Sequence, residues 1–338
     1  MKKHIMKKIF IAVFAAVLAA ASLTGCSDND EKGKQKQITI AIVQPMSHTS
    51  LDQIRETIIS ELNAAGRTNI KIVTSNANND TSALTTILSN HQIDGVDIVI
   101  PIATSTAQSA KTVFEGTTTP IIFAAVSNPT AAGLTGDGCQ YITGVSNNIP
   151  SDEIVKLIAH FQEDYKKIGF VYTSSEVNSV STINAAKAYC DENNISYEEA
   201  SISNLSELQT AVESLISKGV DALYTGNDNT IASAMATYTD IAYSHGIPVY
   251  CGADSMVADG GFATVGVDYV QLGKQVAAMV LKIIDGESVS AIPYETLNEY
   301  ARFVNLKAAK TLGITMDESK LEGFEVLVEE DGTSHFGE

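Results

Sequence analysis

The sequence predicts an α/β protein: two doubly wound parallel-sheet lobes joined by a multi-strand hinge. Three observations predict it. From Ile38 onward, β-branched apolar runs alternate with helical stripes of apolar residues; the alternation restarts after Pro150; and a last strand–helix unit, near residue 270, is too small to stand alone. The roughly 300 residues of the body exceed one ordinary domain, which also suggests two lobes.

Ile38–Val43 is a β-branched run closed by Gln44-Pro45 and reads as a strand. Leu51, Ile54, Ile58 and Leu62 then recur at helical spacing, and Gly66 stops the helix. Ile70–Val73 is a second strand, and Leu84, Ile87 and Leu88 mark a second helix. Val96–Ile102 (VDIVIPI) is nearly continuous in apolar residues, as expected of a strand covered on both faces. Ser105–Phe114 reads as helix and Ile121–Val126 as strand, completing βαβαβαβ with right-handed crossovers. Thr143–Pro150 (TGVSNNIP) reads as the first crossing between lobes.

The second series contains helix Ile154–Phe161, strand Ile168–Tyr172, helices Thr182–Glu192 and Leu208–Ile216, and strand Val220–Tyr224. Helix Thr230–His245 and strand Ile247–Cys251 follow. Strand Ala263–Val267 and helix Leu272–Ile284 are expected to return to the first lobe, before Phe303–Leu306 and helix Lys307–Leu312 cross again. Lobe 1 is then residues 38–147 with 264–288, lobe 2 is 148–263 with 289–325, and 326–338 form a tail.

Residues 1–25 have the form of a lipoprotein signal peptide. Lys2, Lys3, Lys7 and Lys8 precede an apolar run, Ile9–Ala21, that is short of the roughly 20 residues a bilayer span needs. The ending Leu23-Thr24-Gly25-Cys26 resembles the bacterial lipobox, in which the cysteine is lipidated and becomes the mature N-terminus. Residues 26–37 are polar and fit a disordered tether. The expected location is extracytoplasmic, lipid-anchored to the cell membrane, at the cell surface or in a periplasm.

The formal net charge is −18, and the leader contributes four lysines and no acid, so the body is more acidic still. Phosphate would repel such a chain, which argues against nucleic acid as a partner. Beyond Cys26 the cysteines are Cys139, Cys190 and Cys251, enough for one disulfide at most and without C-x-x-C spacing. No histidine pair has metal-ligand spacing, and no metal or cofactor is expected. Nucleophile-elbow, P-loop and dinucleotide motifs are absent, so binding accounts for the chain better than catalysis.

Five segments carry a family likeness: Pro101–Gln108 (PIATSTAQ), Phe123–Pro129 (FAAVSNP), Ile168–Ser179 (IGFVYTSSEVNS), Asp221–Asn229 (DALYTGNDN) and Gly260–Tyr269 (GGFATVGVDY). With the lipobox, and in this order, they resemble the ABC-transporter substrate-binding lipoproteins of the tryptophan/tyrosine-binding type. The likeness spans Ile38–Thr315, whereas Leu321–Glu338 carries no motif of that family. It implies the periplasmic-binding-protein type I fold, a small, aromatic amino acid as ligand, and an ABC permease with its ATPase subunit as partners, with the receptor itself a monomer.

Ligands of open α/β sheets bind at the carboxyl ends of the strands. Thr104, Ser105 and Thr106 open a helix after such a strand, where free N–H groups would attract a carboxylate; plain N-capping is the other use of these residues. Asn227, Asp228 and Asn229 follow a strand of the second lobe, and Asp254 follows the next; either carboxylate would accept from an α-ammonium group. Asp228 or Asn229 would otherwise cap the helix at Thr230. His48 lies in a strand-end loop that the resemblance places in the cleft. Tyr172 and Asn178 belong to the equivalent loop of the second lobe. Ala125 and Val126, followed by Ser127, offer backbone at the end of IIFAAV. The leading expectation is a solute receptor that closes on its ligand and delivers it to the permease. Alternatives are a ligand-sensing domain that docks a signalling receptor and, from another class, an anchored hydrolase on the same scaffold.

Overall fold

A computed structural model describes residues 36–149, 151–297 and 300–336. The leader, Cys26 and nearly all of the tether lie outside the described residues. From Ile38 the chain runs through β1 (Ile38–Gln44), α1 (Thr49–Ala64), β2 (Ile70–Asn76), α2 (Thr81–Ile93), β3 (Ile98–Pro101), α3 (Thr104–Val113), β4 (Ile121–Ala124) and β5 (Ile142–Ser146). The second series is α4 (Ser151–Phe161), β6 (Lys167–Thr173), α5 (Val177–Glu192), β7 (Ser196–Ile202), α6 (Leu208–Ser217) and β8 (Ala222–Tyr224). It continues with α7 (Asn229–Ala232), α8 (Met235–Tyr243), β9 (Val249–Tyr250), α9 (Asp254–Ala258) and β10 (Ala263–Gly266). Helix α10 (Tyr269–Ile284) and β11 (Glu295–Thr296) come next, then β12 (Ala301–Asn305), α11 (Leu306–Leu312), α12 (Glu318–Leu321) and β13 (Glu325–Val328).

These strands form two sheets. The first has the order β11-β5-β4-β3-β1-β2 and the second β13-β12-β10-β9-β8-β6-β7. Among their pairings only β10–β12 is antiparallel. The predicted helical stripe holds: Leu51, Ile54, Ile58 and Leu62 are the buried face of α1. Strands β3 and β4 are buried at every residue, as strands with helices on both faces must be. Three crossings connect the lobes, after β5, after β10 and after β11, which is the multi-strand hinge the sequence predicts.

The boundaries differ from the expected ones. Residues 263–266 are not in the first lobe: β10 pairs with β9 and β12 in the second sheet, because the short α9 connection returns the chain beside the strand it left. Only α10 goes to the first lobe, where it packs on α1 and behind β4 and β5. Conversely β11, expected in lobe 2, pairs with β5. The expected tail begins inside β13, which pairs with β12. Residues 142–146 are a strand rather than a crossing, and the chain leaves the first lobe only after Ser146. Strand β7 (SYEEASI) escapes the apolar pattern because it is an edge strand, its Glu198 and Glu199 paired with Lys218 and Lys187. The helix expected over 230–245 is broken at Ala234, whose φ of −133° is not helical. Cys139, Cys190 and Cys251 are all free and buried, so no disulfide links them.

Gly144, inside β5, has a φ of +154°, and a Cβ there would lie 2.1 Å from the Phe123 carbonyl oxygen and 2.6 Å from its ring. Neither the backbone oxygen nor a fully buried ring can yield. Gly144→Ala should therefore destabilise the first sheet by at least about 3 kcal/mol, read as a lowered urea midpoint. An unchanged midpoint would show that β4 and β5 are not held at this spacing.

Candidate functional site

The first lobe builds its wall from backbone. Ala103, just past β3, has a φ of 72°, and Ala125, just past β4, a φ of 58°. Each such alanine costs on the order of 1–3 kcal/mol and persists only where its surroundings dictate it. Here the Ala103 N–H donates to the Ala124 carbonyl (2.9 Å) and the Ala125 N–H to the Val145 carbonyl (3.0 Å). The sharp turn at Ala103 starts α3 with no side chain capping it. Thr104, in its first turn, is 2 % exposed, and its Oγ1 has no partner. Uncapped N–H groups beside an unpaired hydroxyl suit an anion.

The second lobe builds its wall around two carboxylates. Asp228 Oδ1 accepts from Thr173 Oγ1 (2.9 Å) and the Ile231 N–H (2.9 Å), and Oδ2 from the Thr173 N–H (2.6 Å) and Ser179 Oγ (2.6 Å). Glu176 Oε1 accepts from the N–H and hydroxyl of Thr230 (both 2.8 Å). Its Oε2 accepts from Asn178 Nδ2 (3.0 Å), the Asn229 N–H (3.0 Å) and Asn229 Nδ2 (2.7 Å). A carboxylate offers about four lone-pair sites, so both groups are saturated by the fold. Burial first, and then the Glu176 charge, raise the Asp228 carboxyl to about 7.

Between these walls lies a cavity with about 360 Å³ of empty space counted with its mouth. It is lined by His48, Ser50, Leu51, Thr104, Ala125 and Ser127 from the first lobe and by Asn178, Asn227, Asp228, Asn229, Ala232, Ala253 and Met256 from the second, with Asn147 and Tyr269 from the crossings. None of these is Lys or Arg. Ser127 Oγ donates to Asn147 Oδ1 (3.0 Å), and Asn147 Nδ2 to the Tyr269 hydroxyl (3.3 Å), tying two crossings together. Bonds also span the lobes: His48 Nε2 to Asn229 Oδ1 (3.2 Å), Thr49 Oγ1 to Asp259 (2.9 Å) and Ser50 Oγ with Ser255 Oγ. Because Asn229 Nδ2 is committed to Glu176, its Oδ1 faces His48, which therefore carries its proton on Nε2. Burial lowers the His48 pKa below its ordinary 6.5 against the pull of that bond and of Glu176, Asp52 and Asp259.

Of the residues singled out in the sequence, His48, Thr104, Ala125, Ser127, Asn178, Asn227, Asp228 and Asn229 come together at this cavity. The others do not. Ser105 is exposed and lines an outer vestibule, and Thr106 is buried one step along α3. Val126 packs against Ala107, Phe123 and Leu134, on the inner side of the first lobe. Tyr172 donates to Glu199 on β7 (3.3 Å), alternation along β6 having turned it outward. Asp254 opens α9 and turns back onto the Ser255 N–H (2.7 Å); burial and the nearby Asp268 raise its carboxyl to about 7. Asp228 lines the cavity but caps α7, the alternative weighed for it in the sequence. Sequence reasoning missed Ser50, Leu51, Asn147, Ala232, Ala253, Met256 and Tyr269. The crossings carried a usable signal, since polar residues at a hinge border the cleft it opens.

Residues 39–326 match the profile of the ABC transporter substrate binding protein family. A tyrosine-binding protein of Clostridioides difficile is 33% identical over 321 residues, covering 90% of this chain and 92% of its own length. The ABC domain of Streptococcus pneumoniae solved in complex with L-Trp superposes with a TM-score of 0.80 at 31% identity, over 86% of this chain and 99% of that one. A ligand-free, open substrate-binding protein with adhesive properties from Clostridium difficile gives 0.65 at 32% identity, over 86% and 98%. The better agreement with the liganded relative at equal identity accords with lobes drawn together by the bonds above. The chain belongs to the ABC transporter substrate-binding protein family and has the type I periplasmic-binding-protein fold.

Proposed function

We propose that this chain is the extracytoplasmic, lipid-anchored receptor of an ABC importer, which closes on an aromatic amino acid and presents it to the permease. The opposed polarity of the cavity carries the reading. One wall offers uncapped helix N–H groups and the Thr104 hydroxyl; the other holds the charge of two carboxylates, with no basic side chain between them. A zwitterion fits that field with its carboxylate on α3 and its ammonium toward the second lobe. Leu51, Ala232, Ala253 and Met256 supply apolar surface for a ring. The tyrosine-binding relative and the relative solved with L-Trp support the aromatic choice. The ligand would favour the closed state by touching both lobes at once. Family members work outside the cytoplasm, and no helix of the described residues is long and apolar enough to cross a membrane. Anchoring rests on the Leu-Thr-Gly-Cys ending of the leader.

Three measurements test this. In calorimetry, L-tryptophan or L-tyrosine should bind at least about tenfold more tightly than its amide, since a hydrogen bond to a charged group is worth about 1.5–3 kcal/mol; equal affinities would remove α3 from the site. Cys26→Ala should move the protein from the membrane fraction to the soluble one, and unchanged fractionation would sink the anchor.

The third concerns pH. Closure buries His48 in its neutral form, so the open state binds the extra proton more readily. Affinity should be full above about pH 6.5, fall by no more than tenfold per unit below it, and level off under the lowered pKa of the closed state. Asp228 keeps its hydrogen-bond partners in both states, since all of them belong to the second lobe. His48→Gln keeps a donor for Asn229 and should flatten the profile; an unchanged slope would mean that another group titrates on closure.

A further inference from the structure

Counting acceptors identifies what meets the substituent on the ligand's α-carbon, granted the amino-acid reading above. Asp228 and Glu176 have no lone pair to give, for their oxygens accept four and five hydrogen bonds from the fold. Asp254 does not line the cavity. Asn227 does, and its Oδ1 is a buried atom with no partner. The orientation of its amide is fixed, because Nδ2 donates to the Asn147 carbonyl (3.3 Å), which can only accept. Residue 252 has to be glycine, for a Cβ there would lie 2.5 Å from the Gly226 carbonyl carbon and 2.6 Å from both the Asn227 backbone nitrogen and this oxygen. Asn178 repeats the arrangement, with Nδ2 committed to Glu176 and to the Asn227 carbonyl (2.6 Å), leaving its own amide oxygen as acceptor.

We infer that neutral amide oxygens, Asn227 Oδ1 foremost, receive the α-substituent, and that the cavity therefore also takes 2-hydroxy acids bearing the same aromatic side chain. A hydroxyl donates the one hydrogen bond that the amide oxygen requires. A 2-oxo acid cannot donate, and sets its oxygen against another acceptor. An ammonium still gains from the carboxylates behind the amide, so the amino acid remains the tighter ligand.

The test is calorimetry on the full chain with L-tryptophan, its 2-hydroxy analogue and its 2-oxo analogue, repeated with the tyrosine series. The hydroxy acid should bind within about thirtyfold of the amino acid, and the oxo acid at least about tenfold more weakly than the hydroxy acid, the discrimination expected when a buried acceptor loses its donor. Asn227→Asp should widen the gap between amino and hydroxy acid by about tenfold, because a carboxylate there accepts from either but adds an ion pair with the ammonium alone. A hydroxy acid that binds no better than the oxo acid overturns the inference, and the wild-type series decides this even if the variant fails to fold. Binding of amino acids with exclusion of hydroxy acids removes this inference alone, whereas silence toward every amino acid removes the functional reading and this inference with it.

Discussion

Burial of Glu176 and Asp228 without a basic partner is the constraint on which the second lobe's half of the cavity depends. An uncompensated buried carboxylate costs several kcal/mol, and removing single partners from such a group is strongly destabilising. The fold answers with donors alone. They come from the end of β6, the first turn of α5 and the N-terminal turn of α7, so the two carboxylates knot together three strand-end segments that would otherwise be independent loops. The positions of Asn178 and Asn229 follow, since each spends its amide hydrogens on Glu176. Glu176 shapes the wall from behind, and Asp228, its oxygens consumed by the fold, shares the face with neutral groups.

The first lobe reaches an equally rigid wall by different means. It has no buried charge at the cavity; it has two alanines in left-handed conformations, pinned by sheet hydrogen bonds, and a helix whose first turn is left uncapped. The sheet bonds sustain the strain at the two alanines, whereas the uncapped N–H groups are left for something that enters the cleft. Because the crossings leave from β5, β10 and β11 at the cleft side, and because Asn147 bonds to Tyr269 on a second crossing, moving one wall against the other disturbs little within either. Such segregation of rigid walls from a short multi-stranded hinge is what lets a few interlobe bonds, His48–Asn229 among them, report on closure.

Much of this was legible in the sequence. The apolar runs VDIVIPI and IIFAAV are legible because strands covered on both faces tolerate nothing else, and their ends at Thr104 and Ala125 do meet Asn227–Asn229, which follow VDALYTG in the second lobe, at the cavity. What stayed hidden depends on geometry that pattern does not encode. Periodicity cannot tell which lobe receives β10, because a buried strand looks the same in either sheet. It cannot tell on which side of a strand end a residue falls, so Val126 and Tyr172 were grouped with neighbours that point elsewhere. Nor can it distinguish a carboxylate offered to a ligand from one consumed by the fold: Asp228 looks like a binding residue until its four donors are counted. The role of Glu176 is hidden for the complementary reason, since the Asn229–Thr230 turn that closes on it lies 53 residues further along the chain.

Committing both carboxylates to hydrogen bonds within the second lobe also suits a protein that must let go. A buried ion pair with the ligand would leave an uncompensated carboxylate each time the ligand departed, at a cost on the order of 3–5 kcal/mol, which would oppose release. Here Asp228 and Glu176 keep all their hydrogen bonds whether or not the cleft is filled, since every donor they use belongs to the second lobe. In the binding mode proposed above, their field would still orient an incoming cation, and departure would expose only an amide oxygen that water satisfies once the cleft opens. The contacts that distinguish closed from open are then confined to the neutral bonds across the cleft and to whatever the α3 N-terminus holds. Those are the interactions a docking partner could break by prising the lobes apart, without disturbing the carboxylate knot that keeps the second lobe folded.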